Sequence, residues 1–352
     1  MTQDLHQKIE SIINRNLQAD DREVMFQLKQ LLYEKDLHND AGKAAKNIAD
    51  LVVENLNQLE SEAYQAAIIK TGFDDFDTQF GGFRLGEFVV VGGRPAMGKT
   101  QLLVNLSLNM SLRVPVLYIT LDLSEFSLTN RFIESTSGIP AGNILQNNLN
   151  YEQKNKLSKI GGIFRKRRLF IHDSCNTSIT ALKAYCKEQV QENGIQVIIV
   201  DSLHLLSSHD HRKYRELEVS YICRELKNTA KENNICLIAS SQLNRAVEYR
   251  TSWHGHYPQL SDLKDSGSIE QEADKVIFVH RPEYYKIYHD ENGNDLSGVV
   301  EIIMAKNRNG PQGEILLYRD SDYINFRSNN DKFLFSSSRL KEIDYELGNT
   351  PF

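Results

Sequence analysis

The sequence predicts an α/β protein whose largest domain is built on a mostly parallel central sheet, preceded by a small helical N-terminal segment. From residue 71 onward, short apolar and β-branched segments alternate with stretches of helical periodicity, an order typical of α/β domains. These short segments are apolar at nearly every position, as expected for strands that helices cover on both faces. The strands predicted in this way are residues 87–91, 116–121, 169–172, 197–200, 235–239, 275–279 and 299–304.

The first 70 residues have a different pattern, with apolar residues at helical spacing on both sides of a break at residues 39–42. We predict a short helical segment over 1–43, a linker helix over 44–70, the core domain over 71–328 and a C-terminal tail over 329–352. Two alternatives remain open for the first segment, a helical hairpin packed on its own core and a partner-docking element. The apolar residues concerned are Leu5, Ile9, Ile12, Ile13, Leu17, Ile48, Leu51, Val52, Leu56 and Leu59.

Composition places the chain among soluble globular proteins, since 40% of its 352 residues are hydrophobic and 25% are charged. The net charge of −6 excludes a globally basic nucleic-acid binder, but not a protein that grips DNA through a few loops. No apolar run approaches the roughly 20 residues of a membrane span, and the start lacks signal-peptide features. We therefore expect a cytoplasmic protein without a membrane partner. Its cysteines lack zinc-ligand spacing and are expected to be reduced and buried: Cys175, Cys186, Cys223 and Cys236.

A phosphate-binding motif follows the first predicted strand. Residues 93–100 fit GxxxxGK[ST], with a strand before them and a helical pattern after them, which is the context the motif requires. Its glycines let backbone N–H groups point at phosphate oxygens. Lys99 would then lie near the β- and γ-phosphates and Thr100 would ligate Mg²⁺, so ATP and Mg²⁺ are the predicted cofactors. A chance glycine turn is the disfavoured alternative. The predicted nucleotide-binding residues are Gly93, Arg94, Pro95, Ala96, Met97, Gly98, Lys99, Thr100 and Gln101.

Two further strands end in acidic residues. The apolar strand before Asp201 has the Walker B form, which makes Asp201 the second predicted Mg²⁺ ligand beside Thr100. Hydrolysis also needs a group that orients the attacking water. Asp122, at the end of the strand over 116–121, is the candidate, and Glu125 is the alternative. The competing role for Asp122 is that of N-cap of the next helix.

Several longer motifs resemble a known family. Residues 71–77 (TGFDDFD) and 81–86 (GGFRLG) look like the opening of RecA-type cores in DnaB, RadA and KaiC proteins. Residues 241–245 (SQLNR), 261–271 (SDLKDSGSIEQ) and 305–311 (AKNRNGP) resemble the third helicase motif, the DNA-binding loop and the trans-acting finger segment of DnaB-type replicative helicases. The resemblance covers about residues 70–327 and implies a RecA-like P-loop NTPase core.

The resemblance also implies roles for single residues. Gln242 would sense the γ-phosphate and couple it to DNA. Arg308, together with Lys306, would reach the ATP of a neighbouring subunit, which implies a ring and, by family, a homo-hexamer. Lys264, Asp265 and Gly267 would lie on a loop that faces single-stranded DNA in the central channel. Arg250 is predicted as a further DNA-binding residue. Taken singly, these positions have plainer alternatives: a polar strand end, a solvated turn pair, or a surface ion pair of little energetic value.

The sequence departs from the family pattern at three places. Asp122 stands where the family usually has Glu, and Lys264 replaces an Arg, which keeps the charge but loses bidentate geometry. Residues 1–70 are too short for the family's N-terminal collar domain, which carries primase binding, so we expect the collar to be absent.

The function predicted from these observations is that of an ATP-hydrolysing, ring-forming motor that translocates on single-stranded DNA and unwinds duplex DNA. A helicase loader or another replication protein is the further partner that the family implies. The main alternative is a non-unwinding DNA-binding or assembly factor in a replication, mobile-element or defence system. A RecA/RadA-like recombinase is a second alternative, and the segment over 306–308 argues against it.

Overall fold

The computed structural model describes residues 47–59, 68–174, 177–208, 214–250, 256–264, 266–319 and 325–328. The predicted N-terminal segment over 1–43 and the tail over 329–352 lie outside the described residues. The chain divides into two units, residues 1–65 and 66–352. In the first unit the structure describes helix α1 (Ile48–Leu59), inside the range predicted to be a linker helix. Within the described ranges, every helix is too short or too polar to cross a bilayer.

The second unit contains the predicted alternation of strands and helices. Its strands are β1 (Ile68–Ile69), β2 (Phe83–Arg84), β3 (Phe88–Gly93), β4 (Val116–Thr120), β5 (Leu169–Asp173), β6 (Val197–Asp201), β7 (Cys236–Gln242), β8 (Lys275–His280), β9 (Val299–Asn307), β10 (Gly313–Arg319) and β11 (Phe326–Arg327). Its α-helices are α2 (Asp74–Phe80), α3 (Lys99–Met110), α4 (Glu125–Ser137), α5 (Ala141–Leu145), α6 (Tyr151–Arg165), α7 (Ile179–Asn193), α8 (Arg215–Glu232) and α9 (Ser266–Glu272). Short 3₁₀ helices span Leu203–Leu205, Arg245–Tyr249, Leu260–Asp262 and Pro282–Tyr285.

Nine of these strands form one sheet in the order β11-β10-β9-β8-β3-β7-β6-β4-β5. The six strands from β8 to β5 run parallel, and β9, β10 and β11 extend the sheet in antiparallel fashion. The predicted fold class, a mostly parallel sheet, is therefore confirmed. All seven predicted strands are present, with ends shifted by a few residues.

Four strands were not predicted from the sequence, namely β1, β2, β10 and β11. Strand β10 buries mainly Ile315 and Leu317, a weaker apolar signal than the continuous runs of the central strands. Strand β1, at Ile68–Ile69, lies in the range predicted to be a linker helix, and it pairs with β2 in a separate two-stranded sheet. The first β-strand of the second unit therefore begins at Ile68, before the boundary predicted at residue 71.

The apolar core lies in two layers, one on each face of the large sheet. Helices α3 and α4 cover one face, which we call the α3 face, and helices α7, α8 and α9 cover the other, which we call the α8 face. Alternate residues of β3 point into the two layers, so Val89 and Val91 pack on one side and Phe88 and Val90 on the other. This two-sided burial explains why the strand sequences lack alternation.

The cysteines that the structure describes are free and buried, as predicted: Cys186, Cys223 and Cys236. Burial raises the pKa of the Cys186 thiol to about 12 and that of Cys236 further, so both are inert packing groups. Cys175 lies outside the described residues.

Candidate functional site

The parallel strands end at one edge of the sheet, which we call the carboxyl edge and define by Gly93, Thr120, Asp201 and Gln242. In open α/β sheets, ligands bind outside the carboxyl ends of the strands. All of these ends except Thr120 were predicted as site residues. The structure brings them to neighbouring strands, since β3 pairs with β7, β7 with β6, and β6 with β4.

The predicted phosphate loop joins β3 to α3 at this edge. Gly98 precedes the helix with φ of 98°, a left-handed conformation that favours glycine. A Cβ at Gly98 would also lie 2.7 Å from the Phe326 ring, so the position has no room for a side chain. The first N–H groups of α3 have no acceptor within the helix. They point with its positive end at the space in front of the loop, as anion binding requires.

The Lys99 amine lies inside this loop. Its Nζ donates to the backbone oxygens of Gly93 at 2.8 Å and Arg94 at 3.1 Å. Burial, together with the neighbouring Arg94 charge, lowers the pKa of Lys99 to about 8, against the opposing effect of Asp201. A desolvated cation bound only to carbonyl oxygens is a favourable partner for a phosphate anion.

Thr100 and Asp201 lie together as the motif predicted. The Thr100 hydroxyl donates to Asp201 Oδ2 at 2.9 Å, and the hydroxyls of Tyr118 and Ser240 also donate to the same carboxylate. Asp201 is only 7% exposed and has no cationic partner within 4 Å in the described part of the chain.

This donor set fits Mg²⁺. A carboxylate and a hydroxyl are hard oxygen ligands, and Mg²⁺ typically takes only one or two protein groups beside waters and phosphates. The described residues contain no group of three or more His, Cys, Asp or Glu residues placed to hold a metal ion.

The two candidates for orienting water lie just beyond β4. Asp122 is exposed and makes no hydrogen bond or ion pair within the described chain. The N-cap of α4 is Ser124, whose hydroxyl accepts from the Ser127 N–H, so the alternative that Asp122 caps this helix is wrong. Glu125 is the first residue of α4, is also exposed, and donates its N–H to Asp173 at 2.8 Å. Both carboxylates therefore remain candidates.

The phosphate loop is connected to the segment that follows β7. Gly93 lies opposite Gln242 in the register of β3 and β7. The buried Arg94 guanidinium donates to the Leu243 oxygen at 2.9 Å and to Glu248 at 2.6 Å. Glu248 was not predicted as a site residue, since a contact between residues 154 positions apart leaves no local signal.

The Gln242 segment is in turn hydrogen-bonded to the loop predicted to bind DNA. The Lys264 N–H donates to the Gln242 oxygen at 3.1 Å, and the Asn244 N–H donates to the Asp262 oxygen at 2.7 Å. Residues Leu243 and Leu263 form the antiparallel bridge between them. A backbone path therefore joins the phosphate loop to Lys264, whose side chain is exposed.

The other predicted DNA-binding residues are placed differently. Gly267 lies in α9 with open space where a Cβ would be, and Asp265 lies outside the described residues. Arg250 forms a bidentate ion pair with the buried Asp262 carboxylate. The structure therefore places the Arg250 charge inside the loop region, where it holds Asp262.

The predicted finger residues lie at the opposite end of the sheet. Strand β9 runs antiparallel to β8, so Asn307 pairs with Lys275 at the start of β8. Lys306 and Arg308 are thus at what we call the amino edge, about 20 Å from the phosphate loop along a strand of six residues. From there they cannot reach a nucleotide in the same chain.

Asp274, which the sequence analysis missed, holds Arg308 at this amino edge. The Arg308 guanidinium forms an ion pair with the Asp274 carboxylate at 3.6 Å. The backbone N–H of Arg308 donates to the backbone oxygen of Asp274 at 2.9 Å. The Arg308 side chain is still 46% exposed. Burial and the nearby Arg308 charge lower the pKa of Lys306, whose amine donates to the Glu270 oxygen. Asp274 directly precedes β8, and its sequence position alone did not reveal this role.

Comparison with known proteins agrees with this arrangement. The family model described as DnaB-like helicase C terminal domain matches residues 68–328. The chain is 35% identical over 289 residues to the replicative DNA helicase DnaC of Bacillus subtilis, and 34% identical over 289 residues to the replicative DNA helicase DnaB of Geobacillus stearothermophilus. Each alignment covers 80% of this chain and 62% of the relative, so the chain spans under two thirds of their length.

Solved structures show the same architecture. A DnaB-like replicative helicase, described with its interactions with primase, matches with a TM-score of 0.74 at 27% identity, over 92% of this chain and 76% of that chain. A second solved structure, described as an ATPase domain, matches with a TM-score of 0.72 at 29% identity, over 81% of this chain and 99% of that domain. These matches confirm the predicted RecA-like core.

Proposed function

Because this chain belongs to the DnaB-like helicase C-terminal domain family, we propose that it is an ATP-dependent motor that moves along single-stranded DNA and unwinds duplex DNA. The observation that carries the proposal is the separation of two half-sites. Lys99, Thr100 and Asp201 lie at the carboxyl edge, and Arg308 lies at the amino edge. A complete ATP site then needs two chains head to tail, as in a closed ring.

In this proposal the phosphate loop binds ATP. The N–H groups of the loop and of α3 hold the phosphates, and Lys99 exchanges its carbonyl partners for β- and γ-phosphate oxygens. Thr100 and Asp201 would hold Mg²⁺, which neutralises phosphate charge when bound. Asp122, or Glu125 as the alternative, orients the attacking water, and Arg308 with Lys306 of the neighbouring chain stabilises the transition-state charge.

The link to DNA runs through the backbone. Gln242 lies at the end of β7 beside the phosphate loop, and its carbonyl oxygen is bonded to the Lys264 N–H. A shift of Gln242 on loss of the γ-phosphate would therefore displace the Lys264 loop. Lys264 and Gly267 would contact the strand through its phosphate backbone, which makes binding salt-sensitive.

The family assignment also supports a particular assembly and setting. We propose a homo-hexamer that acts on DNA in the cytoplasm, with a helicase loader or another replication protein as a further partner. The non-unwinding alternative shares every ATP-site contact described above, so the ATPase geometry does not separate the two functions.

A forked-duplex assay tests the proposal. Purified protein with ATP and Mg²⁺ should release the labelled strand, and Lys99→Ala protein should release none. Hydrolysis that DNA stimulates, without strand release on forks of either polarity, would instead support the non-unwinding factor. Absence of both hydrolysis and DNA binding would contradict the proposed function itself.

A further inference from the structure

Helix α6 and the three residues after it carry a strong concentration of positive charge for this acidic chain. Residues 151–168 contain seven lysines and arginines and a single glutamate, against a net charge of −6 for the whole protein. This segment played no part in the site described above. A cationic surface on a protein of opposite net charge indicates a local anionic partner.

Four of these cations lie on or beside one exposed face of the helix. Tyr151, Lys154, Ser158, Gly162 and Arg165 recur at intervals of three or four residues, which places them on one face. All of them are exposed, and Tyr151 is 79% exposed. Lys159 and Lys166 flank the same face and are exposed as well.

The opposite side of α6 holds the helix on the protein. Ile160 is 7% exposed, and Phe164 packs against the core of the α3 face. Asn150 and Gln153 form a capping box at its start. The helix is therefore anchored by apolar contacts and its cap, and the cationic face is not needed to keep it in place.

The cationic face has no acidic partner among the residues that the structure describes. In the ranges that the structure describes, no carboxylate forms an ion pair with Lys154, Lys159, Arg165 or Lys166. Residues Ser158 and Gly162 between the cations are small and leave the surface smooth. An extended polyanion can lie along such a face without a clash with any side chain that the structure describes.

The position of α6 separates this face from the loop that carries Lys264. Phe164 of α6 belongs to the α3 face of the sheet, whereas Leu263 and Ile269, on either side of Lys264, belong to the α8 face. A sheet with a packed layer on each side lies between them. A strand held by the Lys264 loop would have to pass around the domain to touch α6.

We propose that the exposed face of α6 is a second binding surface for single-stranded nucleic acid, which holds a strand other than the one at the Lys264 loop. The proposal rests on the proposed function. Four cations on one face match the charge of consecutive phosphates. Tyr151 adds an exposed ring on which an unpaired base can stack, a combination typical of single-strand surfaces. On a fork, the strand available to α6 is the one displaced by unwinding.

Crosslinking on a forked duplex tests this placement directly. Ser158→Cys puts a photoreactive label on the α6 face, and Ser261→Cys puts the same label beside the Lys264 loop. The two arms of the fork carry different dyes. Wild-type protein treated with the same photoreactive reagent gives the background reaction from native cysteines. We expect the two labels to react with different arms.

Removal of the charges gives a second measurement. A variant with Lys154, Lys159, Arg165 and Lys166 all changed to Ala should lower the salt slope of fork binding by about 3, since each single-strand phosphate contact contributes about 0.7. Tyr151→Ala should weaken fork binding by about tenfold at constant slope. The matched control is Lys187→Ala with Lys231→Ala, which removes exposed lysines from α7 and α8.

The outcomes separate this inference from the function on which it rests. Reaction of the Ser261 label alone, with an unchanged salt slope in the quadruple variant, overturns the α6 surface and leaves the motor intact. Reaction of both labels with the same arm also overturns it. If neither label reacts with either arm, both the α6 surface and the proposed DNA binding at the Lys264 loop are contradicted.

Discussion

The carboxyl and amino edges of the central sheet hold their charged groups in opposite ways. At the carboxyl edge, Asp201 is buried and receives hydroxyl donors from its own chain, and Lys99 is desolvated among backbone oxygens. At the amino edge, Arg308 is 46% exposed and is held by one carboxylate and by backbone oxygens. The charged groups of the carboxyl edge are buried and bonded within the chain, whereas the Arg308 guanidinium of the amino edge is partly exposed to solvent.

The difference indicates how binding and catalysis are divided. We expect this buried set of groups to bind nucleotide in an isolated chain, with Lys99 exchanging its bonds to the Gly93 and Arg94 oxygens for bonds to phosphate. In the proposed ring, the exposed Arg308 guanidinium at the amino edge contributes only when another chain brings a nucleotide to it. Nucleotide affinity should therefore depend on the carboxyl edge, and the rate of hydrolysis on both edges.

The largest effect is expected at the buried lysine. Lys99→Ala should reduce ATP turnover to background, since it removes the cation that the loop holds for the phosphates. The variant should unfold near the wild-type temperature, because it loses two hydrogen bonds but also relieves the burial of a charge, the cause of the lowered pKa of Lys99. Turnover and thermal melting of this variant, beside Lys187→Ala as a surface control, check both statements. Undiminished hydrolysis in Lys99→Ala would contradict the assignment of the phosphate loop to the ATP site.

Substitution of Arg308 at the amino edge should lower the rate of ATP hydrolysis without changing nucleotide affinity. Arg308→Ala should lower turnover by about 10³-fold, the lower range for a finger that stabilises the transition state. Nucleotide affinity should remain at the wild-type value. Fluorescent-nucleotide titration and steady-state turnover on the same preparation measure the two quantities.

Mixed assemblies sharpen this test. In the proposed ring, each interface takes its phosphate loop from one chain and Arg308 from the next. Rings made from Arg308→Ala and Lys99→Ala chains should therefore regain activity at those interfaces that combine an intact loop with an intact Arg308. Mixed rings that stay inactive would show that Arg308 does not act across the interface.

A smaller effect is expected where the chain has Asp in place of Glu. In the proposed site, the Asp122 carboxylate would lie about one carbon–carbon bond further from the γ-phosphate than that of a Glu, and such misplacement can cost about 10²-fold in rate. Asp122→Glu should therefore accelerate hydrolysis, and Asp122→Asn should nearly stop it, with ATP affinity unchanged. Turnover at saturating ATP and DNA decides the matter. Full activity in Asp122→Asn, with loss in Glu125→Gln, would transfer the role to Glu125.

The carboxyl edge was predictable from the sequence because its residues follow apolar strands. Lys99, Thr100 and Asp201 each stand at a strand end or helix start, and parallel strands bring their ends together. Tyr118 and Ser240 were not predictable, since they lie within strands where a polar residue carries no positional signal. Their contact with Asp201 depends on which strands become neighbours.

The amino edge was predictable only in part, for a similar reason. The family resemblance identified Arg308, but the residue that holds it, Asp274, lies 34 positions earlier and meets it through the antiparallel pairing of β8 and β9. Arg250 illustrates the reverse case. A basic residue near a DNA-binding loop was predicted to contact DNA, and the structure places its guanidinium on Asp262.

The smallest and most specific effect concerns the path from the carboxyl edge to DNA. Lys264→Ala should weaken single-strand binding and reduce the salt slope by about one, the value for a single phosphate contact. Hydrolysis without DNA should be retained, because the Lys264 N–H bond to the Gln242 oxygen does not involve the side chain. Arg250→Ala is the matched control, since it removes an equal charge from the same region. With its guanidinium paired to Asp262, it should leave the salt slope unchanged even if the loop is weakened. A slope that falls in both variants would place Arg250 on the DNA as well, and a slope that falls in neither would mean that this loop does not contact the strand.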